Sequence, residues 1–356
     1  MVSKQRNSNL NLICSRHIFH HHHPLLTHHP SSSFRYSAKD LKASLSELKQ
    51  HSTSMRSISL FAVGNGTNTA AEKAAFMQSV AELGIDTYVL WGGDLNSFYT
   101  AEQRAATVRK CLEMVHDGHF KGIDLDFEHL PQNATVMAAY SLFLHQLSDA
   151  LHKQGLLMSA CVGSYPTEAG GISVFYDPEA INATCDVVRV MNYDMYYVGG
   201  RGVTSLASRP DCEGVGPTST VPWAKFSMQW WMERVSVDKL VMGLPAYSND
   251  YSGLPHYGGG NGTQQGVGPP VEGVEAVPGT VETTWQYFDQ INVHRYNDAR
   301  VPSHPPRIRY GTDARSTQSH LQTAATLQIG QVGFWTWNSA DDAMRKALYT
   351  WTAAAA

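Results

Sequence analysis

The sequence predicts an α/β protein of the (β/α)8 barrel class, with a first strand that is not clearly recognisable. After residue 54, short apolar runs alternate with helical patterns, and seven of these runs qualify as candidate strands. They are apolar throughout, as strands buried on both faces should be. The span 55–356 fits the usual barrel length of ~250 residues. A doubly wound open sheet is the alternative, but it lacks support because no glycine-rich phosphate fingerprint follows the first candidate strand.

The candidate elements follow one another as repeated βα units. Thr100 and Gln103 have capping-box spacing and mark a helix start, whereas Gly84 ends the preceding helix. No element is predicted within 248–310, which contains a long stretch rich in glycine and proline. The predicted strands are 56–63, 85–91, 121–129, 156–164, 185–197, 239–247 and 331–338. The predicted helices are 70–83, 100–116, 135–155, 221–235 and 316–329, with a last helix after residue 338.

Composition excludes some classes of partner. The formal net charge is -4, and the basic residues are scattered, so no basic stripe is available for a nucleic-acid backbone. No apolar run approaches the ~20 residues needed to cross a bilayer, so we expect no membrane span. The five cysteines lack the close spacing of a zinc site and are too few for a disulfide scaffold.

The N-terminal segment differs from the rest of the chain. Residues 1–54 are rich in histidine and proline and are predicted to form a disordered extension, with the catalytic barrel in 55–356. The segment contains no clean signal peptide. However, four Asn-x-Thr triplets would accept glycans in a eukaryotic secretory route, which favours a secreted or lysosomal protein. They begin at Asn65, Asn133, Asn182 and Asn261.

Three acids occupy alternate positions in the stretch FKGIDLDFEHL, residues 120–130. Successive side chains of a strand alternate between its faces, so Asp124, Asp126 and Glu128 share one face. The apolar residues between them share the other face, which suits packing against helices. The active site of a barrel lies at the C-terminal ends of its strands, and Glu128 is nearest that end.

The spacing of these acids predicts acid–base chemistry. Neighbouring acids on one strand lie ~7 Å apart or less, and in a partly desolvated site they resist ionising together. At least one should hold its proton near neutral pH, which makes Glu128 the candidate general acid. Acids that point the same way cannot straddle a sugar as an ordinary glycosidase requires. A 2-acetamido sugar can supply its own nucleophile, and Asp126 would then orient the acetamide N–H.

Two other interpretations of the acid row stay open. It could be a solvated strand face, but the apolar residues on the opposite face argue against that. It could bind Mg²⁺ or Ca²⁺ through oxygen, but no further acid cluster supplies the rest of a coordination shell. We therefore predict neither a metal nor a cofactor.

The stretch GIDLDFE, residues 122–128, resembles the active-site signature of glycoside hydrolase family 18, the chitinases and their relatives, written DGxDxDxE. Three further stretches agree in order and spacing. MNYD at 191–194 is similar to the family's strand-six motif, and KLVMGLPAY at 239–247 to its strand-seven motif. GFWTWN at 333–338 is similar to the strand-eight segment. The resemblance covers roughly residues 56–345, and its wording is closest to the di-N-acetylchitobiase branch.

The resemblance implies a monomeric, retaining hydrolase of chitin or of β-1,4-linked N-acetylglucosamine oligomers. It implies Glu128 as the acid/base, Asp126 as the residue that positions the acetamide, and Asp124 as the partner that shares a proton with Asp126. Tyr193 would hydrogen-bond the acetamide carbonyl. The implied substrate contacts are Asp194 at the sugar hydroxyls, Trp337 as the floor under the -1 sugar, Tyr247 as a side wall, and Met191 of the MNYD motif. Trp335, two residues before Trp337, is expected to be a core residue.

The sequence departs from the family pattern in ways that keep alternatives open. Lys121 stands where the signature begins with Asp, and we expect that change to affect packing more than chemistry. Leu90 replaces a serine often seen on strand three, which removes a hydrogen bond to the inner acids. The rival function is a sugar-binding barrel without catalysis, although such lectins typically lose the glutamate. Endo-chitinase and endo-β-N-acetylglucosaminidase activity on N-glycan cores also stay open.

Overall fold

The structure, a computed structural model, divides the chain into two compact units. The first comprises Met1–Val162 and Ser173–Arg189, and the second comprises Gly163–Ile172 and Val190–Ala356. None of the described helices is long and apolar enough to cross a membrane. The residues that the structure describes are 12–15, 38–52, 55–61, 69–128, 130–164, 175–195, 217–252, 263–268, 280–286, 290–296, 307–335 and 337–354.

The first unit alternates strands with helices, as predicted. Strands β2 to β5 pair in parallel and in chain order, and β1 pairs with β2 in the antiparallel sense. The last strand of this unit continues into the second unit after Arg189. The elements are β1 Leu12–Ser15, α1 Ala38–His51, β2 Ser57–Phe61, α2 Ala70–Glu82, β3 Asp86–Trp91, α3 Ala101–Asp117, β4 Gly122–Leu125, α4 Ala134–His152, β5 Leu157–Gly163, α5 Pro178–Thr184 and β6 Val187–Met191.

Local sequence signals explain the helix starts of this unit. The predicted capping box is confirmed at α3, where Thr100 and Gln103 exchange side-chain-to-backbone hydrogen bonds. Thr69 and Glu72 form a second capping box at α2. Each box satisfies backbone N–H groups that the first turn of a helix leaves without partners. The Asn133 side chain caps α4 in the same way, by accepting from the Val136 backbone N–H.

One strand prediction needs correction, and the N-terminal segment contains described elements. The predicted strand 121–129 is shorter in the structure, because β4 ends at Leu125 and the last two acids follow it. The predicted N-terminal extension contains strand β1 and helix α1 among its described residues, and β1 lies antiparallel beside β2. Among the described residues, the strand beside β2 at this edge of the sheet is therefore antiparallel. It is not the parallel first strand that the repeated βα pattern requires. The domain boundary at residue 54 stays a prediction.

The apolar face of the acid row packs as expected. Ile123, Leu125 and Phe127 are all fully buried. The Phe127 ring meets the rings of Trp91 and Phe98 edge-on, at centroid distances of 5.3 and 5.5 Å. It also contacts two aromatic rings of α4. Burial of these side chains fixes which face of the segment the acids can occupy.

The second unit contains parallel strands β7 and β13 and a separate five-stranded antiparallel sheet. That sheet has the strand order β10-β11-β12-β8-β9 and lies within the segment where the sequence predicted no element. The elements are α6 Val221–Met232, β7 Leu240–Pro245, β8 Ser248–Ser252, β9 Thr263–Gly268, β10 Thr280–Gln286, β11 Ile291–Tyr296, β12 Arg307–Gly311, α7 Ala314–Thr326, β13 Val332–Trp335 and α8 Asp342–Ala354.

Gly92, which follows β3, permits a close approach to the backbone of the acid row. A Cβ atom at Gly92 would lie 2.1 Å from the Asp126 carbonyl oxygen, closer than any side chain tolerates. The Asp126 backbone N–H donates to the Trp91 carbonyl at 2.9 Å, so the two segments are held together at this point. A glycine is therefore required beside the acids.

We expect Gly92→Ala to lower the free energy of unfolding by about 1–3 kcal/mol, because the added methyl group must displace the backbone of Asp126. Gly330→Ala is the matched control, since a Cβ there would have no heavy atom within 4 Å. Denaturation followed by circular dichroism measures both changes. Equal stability of the two variants would contradict this account of the close approach.

Candidate active site

The three acids of the row differ in exposure. Asp124, on β4, is fully buried, whereas Asp126 and Glu128, which follow the strand, are half-buried. The backbone of Asp126 still extends the parallel ladder through its hydrogen bond to Trp91. The row therefore passes from the interior of the sheet toward solvent, and the two outer carboxyl groups can reach a substrate.

Asp124 is surrounded by donors from three other strands. The Ser59 hydroxyl on β2 donates to Asp124 Oδ2 at 2.8 Å, and Arg189 Nε on β6 lies 3.0 Å from the same oxygen. The Cys161 thiol on β5 donates to Oδ1 at 3.7 Å. None of these three groups can be found from spacing along one strand, although Arg189 stands out as the charged residue in the otherwise apolar run VVRVM.

Arg189 is itself fully buried and makes several contacts around Asp124. Its Nε donates to the Ser159 hydroxyl at 2.8 Å, and its guanidinium carbon lies 5.0 Å from the centroid of the Tyr88 ring. A buried charge is tolerated only when it is paired and hydrogen-bonded, and both members of this ion pair have no solvent exposure. The pair is thus a fixed part of the interior below the outer acids.

The charges of the acids raise the pKa values of two neutral groups, Cys161 and Tyr176. Burial raises the pKa of the Cys161 thiol well above its usual value, and the charges of all three acids of the row raise it further. Burial likewise raises the pKa of Tyr176, with contributions from Glu128 and Asp126. Both groups are therefore neutral at ordinary pH, and both lie within electrostatic reach of the two outer acids.

Tyr176 also fixes the backbone between those acids. Its hydroxyl donates to the Phe127 carbonyl oxygen at 2.7 Å. Phe127 stands between Asp126 and Glu128 in the chain, so this bond and the buried Phe127 ring both restrain the segment. The sequence analysis did not identify Tyr176, because it lies 49 residues away from its partner.

The two departures from the family signature have clear local settings. Lys121 is exposed, and its Nζ donates to the Gly155 carbonyl at 3.0 Å, so it supports a turn of the scaffold, as expected. Leu90 is buried and is the register partner of Asp124 on β3. Ser59 on the next strand supplies a hydroxyl to Asp124, which offsets the hydrogen bond that Leu90 cannot make.

In the second unit, the residues predicted from the MNYD motif form a cluster of their own with Tyr247. The Tyr247 hydroxyl donates to Asp194 Oδ1, and its ring meets the Tyr193 ring edge-on at 6.3 Å. Asp194 has a φ of +57°, in the left-handed region that few residues other than glycine adopt. Met191, at the end of β6, is buried beside this turn in the chain.

The two tryptophans of GFWTWN are placed differently from the expectation. Trp335, expected in the core, is half-buried and stacks on Tyr193 with ring centroids 6.5 Å apart. Trp337, expected as the sugar floor, is buried and packs against Phe334, with the Arg345 guanidinium over its ring. The cause is that β13 ends at Trp335, and a 3-10 helix, Trp337–Ser339, replaces the alternation assumed for a longer strand.

Each set of residues has a distinct chemical capacity. The acid row of the first unit contains carboxyl groups that can donate and accept protons at partly exposed positions. The aromatic cluster of the second unit presents a hydroxyl-bonded carboxylate and ring faces, which suit sugar hydroxyls and sugar C–H faces. Within the described ranges, no group of three His, Cys, Asp or Glu side chains is arranged to hold a metal ion.

Curated relatives share parts of this sequence. The cortical fragment-lytic enzyme of Bacillus subtilis is 27% identical over 219 residues, which cover 61% of this chain and 46% of that protein. Class V chitinase CHIT5b of Medicago truncatula is 27% identical over 225 residues, covering 61% of this chain and 53% of that protein. The chain thus spans about half the length of the curated relatives it matches.

The fold is shared with solved structures. A chitinase from Chromobacterium violaceum matches with a TM-score of 0.66 at 19% sequence identity, covering 89% of this chain and 96% of the other. This likeness confirms the predicted α/β fold class of the (β/α)8 type. The family model for Glycosyl hydrolases family 18 matches residues 18–353, a span that includes the acid row and the MNYD, KLVMGLPAY and GFWTWN stretches. The chain therefore belongs to glycosyl hydrolase family 18.

Proposed function

We propose that this protein is a retaining glycosidase that hydrolyses β-1,4-linked N-acetylglucosamine oligomers or chitin, with Glu128 as the acid/base. The observation that carries the proposal is the acid row itself: Glu128 is half-buried at its outer end, in a segment restrained by Tyr176 and Phe127. Membership of the family and the names of relatives such as the Medicago truncatula chitinase support this substrate class.

The reaction uses the substrate's own acetamide as the nucleophile. Glu128 donates its proton to the glycosidic oxygen while the acetamide carbonyl oxygen bonds to the anomeric carbon, and the leaving sugar departs with that proton. Asp126 accepts a hydrogen bond from the acetamide N–H and stabilises the positive charge of the oxazolinium intermediate. A water molecule then gives a proton to the Glu128 carboxylate and attacks the anomeric carbon, which breaks the bond from that carbon to the acetamide oxygen and restores the acetamide. Two inversions leave the product in the β configuration.

The residues of the second unit supply the sugar contacts in this proposal. Tyr193 donates to the acetamide carbonyl oxygen, and Asp194 accepts from sugar hydroxyls in the orientation that the Tyr247 hydroxyl gives it. Met191 supports the turn that carries them. Trp337 stays the proposed stacking floor, as the resemblance implies, and the half-buried Trp335 ring, which stacks on Tyr193, offers a second aromatic surface.

The location and assembly of the protein stay predictions. We retain the secreted or lysosomal location and the monomeric state. Of the four glycan acceptors, Asn133 is exposed and already caps α4, and Asn182 lies within α5. Asn65 and Asn261 fall outside the described residues. Glycan mapping of protein from a eukaryotic secretory host would test this location.

We expect the purified protein to hydrolyse chitobiose, chitotriose or chitotetraose to β-anomeric products, and Glu128→Gln to lower kcat by about 10²- to 10⁴-fold. The amide keeps the shape of the side chain but cannot donate the catalytic proton. Glu113→Gln on the exposed face of α3 is the matched control and should retain activity. Anomer-resolving NMR and product chain lengths report the outcome. Oligosaccharide binding without turnover by the wild type would instead identify a lectin.

We expect the rate of hydrolysis to peak below neutral pH. Glu128 must carry a proton at the start of the reaction, whereas Asp126 must be at least partly ionised to stabilise the oxazolinium charge. Initial rates on chitotriose across buffers of constant ionic strength measure this profile. A rate that rises above about pH 9 would exclude Glu128 as the proton donor.

We expect Tyr176→Phe to lower kcat by about tenfold or more with a small effect on KM, because the freed segment misplaces both outer acids. Tyr140→Phe is the control: Tyr140 is a buried neighbour whose hydroxyl has no hydrogen-bond partner among the described residues. Its removal should leave kcat unchanged. Equal losses of activity in the two variants would show that general packing, not the bond to Phe127, sets the position of the acids.

A further inference from the structure

The ion pair between Arg189 and Asp124 departs from the proton sharing that the family resemblance implies for Asp124. We propose that Arg189 is a positioning residue that keeps Asp124 as a carboxylate, so that the catalytic proton of the row is distributed between Asp126 and Glu128 alone. The inference rests on the proposed function, because it concerns how the same site manages its proton. It reassigns Asp124 from a proton carrier to one half of a neutral buried pair.

The geometry favours the charged form of both partners. Arg189 Nε lies 3.0 Å from Asp124 Oδ2, and neither side chain is exposed to solvent. Protonation of Asp124 would leave a buried guanidinium without its counterion, which is among the costliest changes in a protein interior. Ser59 adds a hydrogen bond to the same carboxylate oxygen, and Cys161 adds one to the other. All three donors are used best when Asp124 is ionised.

Two buried groups beside the pair, Tyr88 and Cys161, do not supply a mobile proton. Burial raises the pKa of Tyr88, and it raises the pKa of Cys161 in the same way, so both stay neutral through the working range. Asp86, at the start of β3, has a pKa raised by burial and lowered in part by Lys121, Arg56 and Arg189. The titratable or charged groups that interact electrostatically with Asp124, with Arg189 or with the residues beside them are Tyr88 and Asp86 from β3, Cys161 from β5, Asp126 and Glu128 after β4, Asp186 before β6, and Lys121 and Arg56.

The consequence for catalysis follows from the charge of the pair. With Asp124 and Arg189 both charged, their sum is zero, and Asp126 ionises beside a neutral unit instead of a competing acid. Asp126 can then be anionic while Glu128 holds its proton, which is the arrangement that the first step requires. Arg189 touches no reacting atom in this scheme. It acts on the reaction through Asp124, by fixing both its position and its charge.

The test compares the pH profile of kcat/KM on chitotriose for five proteins: wild type, Arg189→Met, Arg189→Lys, Asp124→Asn and the double variant Arg189→Met/Asp124→Asn. We expect Arg189→Met to move the acid limb to higher pH by about one unit, because Asp124 then competes with Asp126 for ionisation. Asp124→Asn should move it to lower pH, because the unbalanced guanidinium favours the Asp126 carboxylate. The double variant restores a neutral pair, and its acid limb should return to the wild-type position. Arg189→Lys keeps the charge and should keep the wild-type limb with a lower kcat.

Other outcomes would overturn the proposal. If the role of Arg189 is purely structural, its variants should have lower thermal stability and lower kcat. The losses should multiply in the double variant, by about tenfold or more, and the acid limb should not move. If Arg189→Met does not fold, the comparison of Asp124→Asn with the double variant still decides, since neither contains an unpaired buried carboxylate. Failure of the acid limb to return in the double variant then refutes the proposal. A wild-type protein without turnover would refute the proposed function itself, whereas an active wild type with unmoved limbs refutes only the role of Arg189.

Discussion

The ion pair between Arg189 and Asp124 is the interaction on which the arrangement of the first unit depends. It places two full charges where the surrounding strands are apolar, and those charges are tolerated only because each satisfies the other and both meet further polar groups. Strands β2, β4, β5 and β6 each contribute a side chain to this cluster, so the pair also fixes the register in which they lie. The two partly exposed acids, Asp126 and Glu128, directly follow strand β4 of this set.

Above the pair, apolar packing and one hydrogen bond share the task of presenting the outer acids. The Phe127 ring packs among aromatic rings, and the Tyr176 hydroxyl donates to the Phe127 carbonyl oxygen. Gly92 lets the neighbouring segment approach without a side chain in between. The positions of Asp126 and Glu128 are therefore determined by groups that do not themselves take part in proton transfer.

Local pattern was sufficient to predict much of this, and non-local contacts account for what it missed. The βα alternation, the capping box at Thr100 and the two faces of the acid row are all short-range signals, and the structure bears them out. The donors to Asp124 come from residues 37 or more positions away, which spacing along one strand cannot reveal. The sheet from β8 to β12 was missed because the glycine- and proline-rich stretch within 248–310 interrupts the βα pattern, although β10 and β11 themselves show alternating positions. The partial exposure of Trp335 was not expected, because a strand was assumed to continue past it.

The buried pair also constrains how this sequence can vary in evolution. Loss of the arginine alone would leave an unpaired carboxylate in an apolar interior, and loss of the aspartate alone would leave an unpaired guanidinium there. Each single substitution therefore gives a less stable protein. The two positions are separated by 65 residues in the sequence, yet we expect them to be retained or replaced together in evolution. Lineages that carry this arginine should therefore keep the aspartate for reasons of folding even where selection on catalysis has been relaxed.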